Sequence, residues 1–284
     1  MVNKTFEILA RIGNRIGKPP GWERVVRLFA SPEKCREMPD IRDVRDGVIF
    51  IAQPAVPLGW HVALFGTYEP ELRNVLRTVL PVGGIAVDVG ANVGWHTLLM
   101  ARLVGDGGRV FAAEPNPSVR QRLEEHLKLN GFKQVEVVPY ALADSDGTVE
   151  FYGPEADDAG SGDGHIVEVT GNNRRNIFRV ESRCIDAIFP ATKAERLDLI
   201  KIDVEGFEWP VLKGAEQTIA RFRPHIVFEY LAEYASRGGG TPELLEEFFQ
   251  KHRYKLLAIG RARNRSVEPG NWPQSTDIWA VPSS

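Results

Sequence analysis

From residue 85 onward, the hydrophobic positions of this chain switch repeatedly between two periods. Residues 85–89, 109–114, 135–139, 197–202 and 226–230 are short runs dominated by Val, Ile, Leu, Phe and Ala. Between them, apolar residues recur three and four positions apart, as at Val119, Leu123 and Leu127 within 117–130. The first pattern predicts strands buried on both faces, the second helices packed on one side. Residues 69–80 predict a helix with Leu72, Val75, Leu76 and Val79 inward. Residues 95–103 predict one that is apolar almost all round, and Gly131 stands where a left-handed helix cap belongs. Such alternation implies right-handed crossovers and a mostly parallel, doubly wound α/β sheet of Rossmann-like type. A helix over 242–251 precedes strands at 255–259 and 277–281. No helix joins those two strands, so one of them is expected to run antiparallel at the sheet edge.

The first 66 residues have a different texture, irregular and broken by six prolines between Pro19 and Pro57. Phe6, Leu9, Ile12 and Ile16 share one helical face ringed by Lys4, Arg11, Arg15 and Lys18. That face is short and lacks Trp, which favours packing on the chain's own domain over a membrane surface. Residues 48–52 and 61–65 read as the two strands of a small hairpin. The division expected is an accessory segment at 1–66 and a main domain at 67–284. Within the latter, residues 145–196 interrupt the alternation with a strand at 148–152 and a Gly/Asp-rich stretch at 154–164. A long segment between core strands emerges where ligands bind, so it reads as a substrate cover, with a floppy insertion as the alternative.

Composition narrows the classes. A chain of 284 residues is one large domain or a domain with an appendage. Hydrophobic residues at 43% and charged residues at 26% are ordinary for a globular protein. Lys plus Arg less Asp plus Glu gives 35 − 38 = −3, which disfavours nucleic acid as a partner. Cys35 and Cys184 are too few for a disulfide framework or a thiolate zinc site. No apolar run approaches the ~20 residues of a spanning helix, and the N-terminus lacks a secretory apolar stretch. A cytoplasmic location is expected. Nothing in the sequence speaks to oligomeric state.

Candidate chemistry begins at Val87-Asp88-Val89-Gly90-Ala91-Asn92-Val93-Gly94, a strand-to-helix turn. Glycines there let the backbone turn tightly and let a ligand approach. The spacing is not that of the dinucleotide fingerprint G-x-G-x-x-G. Asp88 is expected to face the ligand, where a carboxylate would repel a pyrophosphate and suit a cationic amino group. Glu114 ends the next strand, a position from which a carboxylate accepts hydrogen bonds from both ribose hydroxyls. A nucleoside carrying a cationic amino-acid tail, S-adenosylmethionine, meets both requirements. Helix capping by Asp88 and a surface role for Glu114 are the alternatives.

At this point the chain resembles the FkbM-type methyltransferases, class I S-adenosylmethionine-dependent enzymes. The matching stretches are Phe65-Gly66-Thr67-Tyr68-Glu69, the 87–94 turn, Phe111-Ala112-Ala113-Glu114-Pro115-Asn116, Ala141-Leu142-Ala143-Asp144 and Lys201-Ile202-Asp203-Val204-Glu205-Gly206-Phe207-Glu208. The resemblance covers about residues 65–231. It implies a seven-stranded sheet whose last strand is antiparallel. It also implies methyl transfer to a hydroxyl of a sugar, glycan or polyketide-like natural product. By position, Asp88, Gly90, Asn92 and Gly94 match the cofactor loop, Glu114 the ribose ligand, and Ala141 and Leu142 the adenine contact. Related enzymes often carry an acid at the place of Ala141; here backbone groups or Asp144 would read the adenine amine.

Methyl transfer is an in-line displacement, and a neutral hydroxyl is a weak nucleophile that a base or a metal would help. Asp203, ending the fourth strand, and Glu205, two residues on, are the candidate acceptor-binding and catalytic residues. The alternative is that they cap the next helix and pair with Lys201. Glu229 could complete an acidic cluster able to hold magnesium, a possibility not favoured here because the family pattern does not require it. Tyr68 and Glu69 are placed to fold over the cofactor, and His165 could reach the acceptor. His225 begins its strand and so belongs to the opposite edge. Arginines 174, 175, 179 and 183, with 261, 263 and 265, would suit a phosphate-bearing small-molecule or glycan acceptor, or a nucleic acid. Competing classes are a nucleic-acid methyltransferase, a non-catalytic S-adenosylmethionine-binding protein, and, weakened by the glycine spacing, a nicotinamide oxidoreductase.

Overall fold

The computed structural model describes residues 4–6, 8–10, 21–35, 37–153, 165–166, 176–189 and 194–283. In chain order the N-terminal elements are helix α1 (Trp22–Ala30), strands β1 (Ile41–Arg45) and β2 (Val48–Ala52), and helices α2 (Pro57–Phe65) and α3 (Pro70–Val79). Then follow β3 (Ile85–Val89), α4 (Trp95–Val104), β4 (Arg109–Ala113), α5 (Pro117–Asn130) and β5 (Val135–Val138). The next segment holds β6 (Ala141–Leu142), β7 (Gly147–Tyr152), β8 (His165–Ile166), β9 (Ile177–Arg183) and the short α6 (Ile185–Ile188). The last part holds β10 (Leu199–Ile202), α7 (Glu208–Lys213), α8 (Glu216–Phe222), β11 (His225–Leu231), α9 (Pro242–Lys251), β12 (Tyr254–Ala258), β13 (Arg265–Ser266) and β14 (Ser275–Pro282).

The main sheet runs β13-β12-β14-β11-β10-β3-β4-β5. The pairs β11–β10, β10–β3, β3–β4 and β4–β5 are parallel. Alternate residues of each strand enter opposite layers, as a period of two requires. Val87, Val89, Ile200, Ile202 and Phe228 pack into one core, and Ala86, Leu199 and Val227 into the other. Strand order reverses at β3 and β10, so a crevice opens at their C-terminal ends.

Two expectations are corrected at the sheet. Eight strands pair, the eighth being the two-residue β13. The antiparallel strand β14 is not at the edge; it inserts between β11 and β12, pairing antiparallel with both. Burial explains the insertion, because Ile278 and Ala280 are fully enclosed, which an edge position would not provide.

The hairpin is corrected as well. Its strands are β1 and β2, closed by Asp46-Gly47 with φ of 52° and 75°, the pair of positive values a two-residue hairpin turn requires. Residues 61–65 belong instead to helix α2, which begins with Pro57 at its first turn. A short, wholly apolar run does not tell a strand from a buried helix; the proline does. The outer edge of β2 is covered by α5. Asn130 accepts from Ile49 N–H at 2.6 Å and donates to its carbonyl, while His126 Nε2 accepts from Ile51 N–H at 3.1 Å. Phe6 is buried with Val26, Trp60 and Leu64, so the described part of the first helix packs on its own chain; Ile12 and Ile16 lie outside the described residues.

One buried cation ties the hairpin to the helix behind the glycine turn. Arg73 in α3 donates to Trp95 O at 3.0 Å and to Asp46 Oδ2 at 2.6 Å, and its guanidinium lies 4.3 Å from the Trp95 ring centroid. In the 145–196 segment, β6, β9, β7 and β8 form a second, four-stranded sheet. Residues 154–164, Arg174 and Arg175 fall outside the described residues, as does the side chain of His165. Arg183 is engaged by Asp146 and Glu181.

Candidate active site

The crevice at the C-terminal ends of β3, β4, β10 and β11 is a continuous pocket. The 90–93 turn and Glu114 form one wall, and Tyr68, Glu69 and His96 another. Lys201, Asp203, Glu205 and Glu229 close the far end. A smaller recess continues past Glu114 to Tyr140, Ala141, Leu142 and Phe151.

Backbone geometry builds the first wall. Gly90, Asn92 and Gly94 have φ of 73°, 51° and 93°. A Cβ on Gly90 would sit 1.9 Å from the carbonyl oxygen of Asp203, so the two strand ends touch backbone to backbone. Glu114 is buried among donors: Oε2 accepts from Asn92 N–H at 2.9 Å and Oε1 from Asn116 N–H at 2.8 Å. Burial pushes its pKa up to about 7, with those two N–H groups acting in the opposite direction. Asn116 caps α5 through Oδ1. Its Nδ2 is buried in the same pocket without a partner among the described residues.

Asp88 differs from expectation. It does not line the pocket but lies fully buried one layer below, accepting from Thr97 Oγ at 2.6 Å and 3.5 Å from Lys201 Nζ. Alternation along β3 puts Asp88 beneath the turn rather than in it. Ala141 and Leu142 line the recess, with Ala141 packed against Phe151. Asp144 is turned away, its carboxylate 2.5 Å from Lys213 Nζ.

The far end is electrostatic. Oxygens of Asp203, Glu205 and Glu229 all lie within 4.8 Å of one another. Lys201, 3% exposed, donates to Asp203 Oδ2 at 3.1 Å and to Gly90 O at 3.3 Å. Burial alone would lower its pKa, but the carboxylates of Asp203, Asp88 and Glu69 outweigh it and hold the ammonium charged. Burial, reinforced by Asp203 and Glu205, pushes Glu229 up to about 10, and burial with Glu69 and Asp203 pushes its cross-strand partner Asp277 up to about 8. The chain turns away at Glu205 and Gly206, with φ of 56° and 100°. Glu208 Oε1 accepts from Val204 and Gly206 N–H, each at 3.1 Å, making it a structural partner of that turn.

Tyr68 and Glu69 do lie over the pocket. Glu69 Oε2 is 2.8 Å from His96 Nε2. Burial would raise Glu69, yet His96, Lys201 and Tyr68 together hold it below the usual carboxylate range. Burial and the charge of Glu69 raise the Tyr68 phenol well above its ordinary value. His225 sits at the opposite edge, accepting from Trp279 Nε1 at 3.1 Å. Lys201, His96 and Asn116 are pocket residues given no role on sequence grounds. Lys201 carried a readable signal, a lysine amid Leu-Ile-Lys-Ile in a buried strand, where a charge persists only if paired. His96 and Asn116 had none beyond adjacency to the glycine turn and to Glu114.

A reversed-order parallel sheet with a glycine turn facing a buried carboxylate is the arrangement in which doubly wound proteins bind nucleoside cofactors. Residues 88–256 match the Methyltransferase FkbM domain, more than half of the chain. The chain belongs to the FkbM methyltransferase family, whose members are S-adenosylmethionine-dependent methyltransferases. It is 30% identical over 148 residues to the hexuronic acid methyltransferase AglP of Haloferax volcanii, covering 51% of this chain and 56% of that one. It is 27% identical over 166 residues to the 2-O-methyltransferase NoeI of Sinorhizobium fredii, covering 53% and 65%. Among solved structures, a methyltransferase FkbM from Methylobacillus flagellatus aligns with TM-score 0.46 and 17% identity over 98% of this chain and 58% of that one. The chain spans less than two thirds of the length of the curated relatives it matches.

Proposed function

We propose that this chain transfers a methyl group from S-adenosylmethionine to a hydroxyl of a sugar, glycan or polyketide-like natural product. The observation that carries the reading is one pocket with two chemically distinct ends: Glu114 and bare glycine backbone at one, and the Asp203–Glu205 carboxylates at the other. The cofactor fits the first end. Glu114 would accept from ribose hydroxyls, Asn116 Nδ2 is an unpaired donor beside it, and Ala141 and Leu142 offer an apolar shelf for adenine. Bound there, S-adenosylmethionine supplies an electrophilic methyl group on a sulfonium. Asp203 and Glu205 bind the acceptor hydroxyl, and one of them takes its proton as the oxygen is alkylated. Glu229, with a pKa near 10, is a neutral acid at pH 7 and serves as a hydrogen-bond donor rather than a base. The named substrates of AglP and NoeI, a hexuronic acid and a 2-O position, support an oxygen acceptor on a sugar.

The acid cluster could alternatively hold magnesium, whose preferred ligands are oxygens. The ammonium of Lys201 already lies 3.1 Å from Asp203 and neutralises part of the cluster's charge, which disfavours a dication there. The methyltransferase domain is 67–284, with 1–66 as an accessory segment that adds Phe50, Gln53 and Leu58 to the pocket lining, and 145–196 as substrate cover. A labelled-methyl screen against glycans and glycolipids, with and without chelator, tests the proposal. Labelled glycan, insensitive to chelator, is expected. Label in a nucleic acid, or no binding of S-adenosylmethionine in calorimetry, would overturn it.

A further inference from the structure

Tyr68 and Glu69 have two faces. On one side they line the cofactor pocket; on the other they line a second cleft, outside the carboxylate cluster. Trp22, Phe65 and Tyr68 give this cleft aromatic surface, and Glu23, Glu71 and Arg261 give it polar surface. The aromatic side chains are held in place. The His61 ring lies 5.5 Å from Phe65 and 5.7 Å from Tyr68, and the fully buried Trp60 packs edge-on to both His61 and Phe65. His61 Nε2 is in turn 3.6 Å from Glu23 Oε1. Arg261, with its side chain 93% exposed, reaches Glu71 at 3.7 Å.

Resting on the methyl-transfer reading above, we propose that this cleft is the acceptor's second subsite. It holds a neutral pyranose unit adjoining the one whose hydroxyl reaches past Tyr68 into the cofactor pocket. A pyranose has a face of C–H groups and a rim of hydroxyls. Aromatic side chains offer the C–H face an apolar, electron-rich surface. Carboxylates accept from rim hydroxyls, and a guanidinium donates to them in a fixed fork. A purely apolar ligand would cover those charged groups and strip their water without offering them a hydrogen bond. An anionic one would meet the three carboxylates Glu23, Glu69 and Glu71 against the single guanidinium of Arg261 in the lining. Tyr68 and Glu69 line both, so the cleft adjoins the reaction site and occupancy of one bears on the other.

Saturation-transfer NMR on the full chain with saturating S-adenosylhomocysteine tests this. The probes are methyl β-glucopyranoside, methyl β-galactopyranoside and methyl α-mannopyranoside, with methyl β-glucuronide as the anionic comparison. Transfer to ring C–H protons of at least one neutral pyranoside is expected. It should fall about fivefold or more in Trp22→Ala, in line with the loss of an aromatic contact. The same fall is expected in Thr67→Trp, which fills the cleft from its lining. Calorimetry should find S-adenosylhomocysteine affinity unchanged in both. Should Trp22→Ala fail to fold, Arg261→Ala at an exposed side chain replaces it. No transfer from any neutral pyranoside, stronger transfer from the glucuronide, or transfer surviving the variants overturns the subsite. Absence of S-adenosylhomocysteine binding in the unmodified chain instead overturns the methyl-transfer reading.

Discussion

The two ends of the pocket are stabilised in opposite ways. At the glycine turn the fixed geometry comes from backbone: positive φ values, two strand ends touching backbone to backbone, and a carboxylate holding two N–H groups. At the carboxylate end, Asp203, Glu205 and Glu229 crowd within 4.8 Å of one another, the buried Lys201 ammonium pairs with Asp203, and burial with the neighbouring carboxylates holds Glu229 protonated through neutral pH. The first end is shaped before any ligand arrives. The second is under electrostatic tension that a ligand or a proton can relieve. Rigid geometry suits recognition of an invariant cofactor, while shifted acids suit proton handling.

Substitutions can break that contrast, and the largest effect is expected at Gly90. A valine there drives Cβ into the Asp203 carbonyl, which is backbone and has nowhere to go. Gly90→Val should cost about 4 kcal/mol or more and abolish the cooperative melt in circular dichroism. A native melt with only cofactor binding lost would show that the turn serves the ligand first. Asp88→Ala should likewise lower the melting temperature before it affects binding, because it removes a partner of the buried Lys201 and leaves Thr97 unpaired.

Next in size is turnover at the other end. Asp203→Asn or Glu205→Gln should keep cofactor affinity and lose about 10²–10⁴-fold in rate, read in a labelled-methyl assay. If neither slows the reaction, the base lies elsewhere, and Glu69 with His96 becomes the first place to look. Glu114→Ala should weaken cofactor binding by about 2–3 kcal/mol in calorimetry, since ribose hydroxyls and the Asn92 and Asn116 amides all lose an acceptor. Equal affinity would remove Glu114 from the site.

The smallest expected effect sharpens the contrast through pH. Glu229 binds its proton more tightly in the folded chain than in the unfolded one, because burial and the carboxylates of Asp203 and Glu205 oppose its ionisation. Stability from this group is therefore complete below the unfolded value of ~4.3 and declines as pH rises toward about 10. Glu229→Gln should raise the melting temperature at pH 9, by about 2 °C for each kcal/mol in a chain of this length, and change it little at pH 4.5. A loss of stability at both values would mean that Glu229 makes a contact beyond charge.

The sequence was legible where one rule governed. Buried runs separated by helical periods marked β3, β4, β5, β10 and β11, and the glycines marked the turn. It misled where two rules competed. Residues 61–65 have a strand's composition, and only Pro57 reveals the helix; Asp46-Gly47 announced the true hairpin turn. Asp88 shows the limit for the site. A residue at a strand's end faces the ligand or the layer beneath according to a one-residue phase, and composition does not report that phase. Lys201 was readable as a paired charge but not as the shared partner of Asp88 and Asp203, because that sharing depends on the β3–β10 register.

Arg73 bears on where the chain could be cut. Its guanidinium joins Asp46, in the first 66 residues, to the carbonyl and ring of Trp95, which opens the helix after the glycine turn. A protein shortened to begin near residue 67 would retain the arginine and lose its counter-ion. Asp46 is solvent-exposed but the arginine is buried, so removing its counter-ion leaves a buried charge short of a partner and destabilises the fold. The loss would fall on the helix beside the cofactor turn. Family matching draws its boundary at residue 88, but the smallest fragment worth expressing begins before the hairpin.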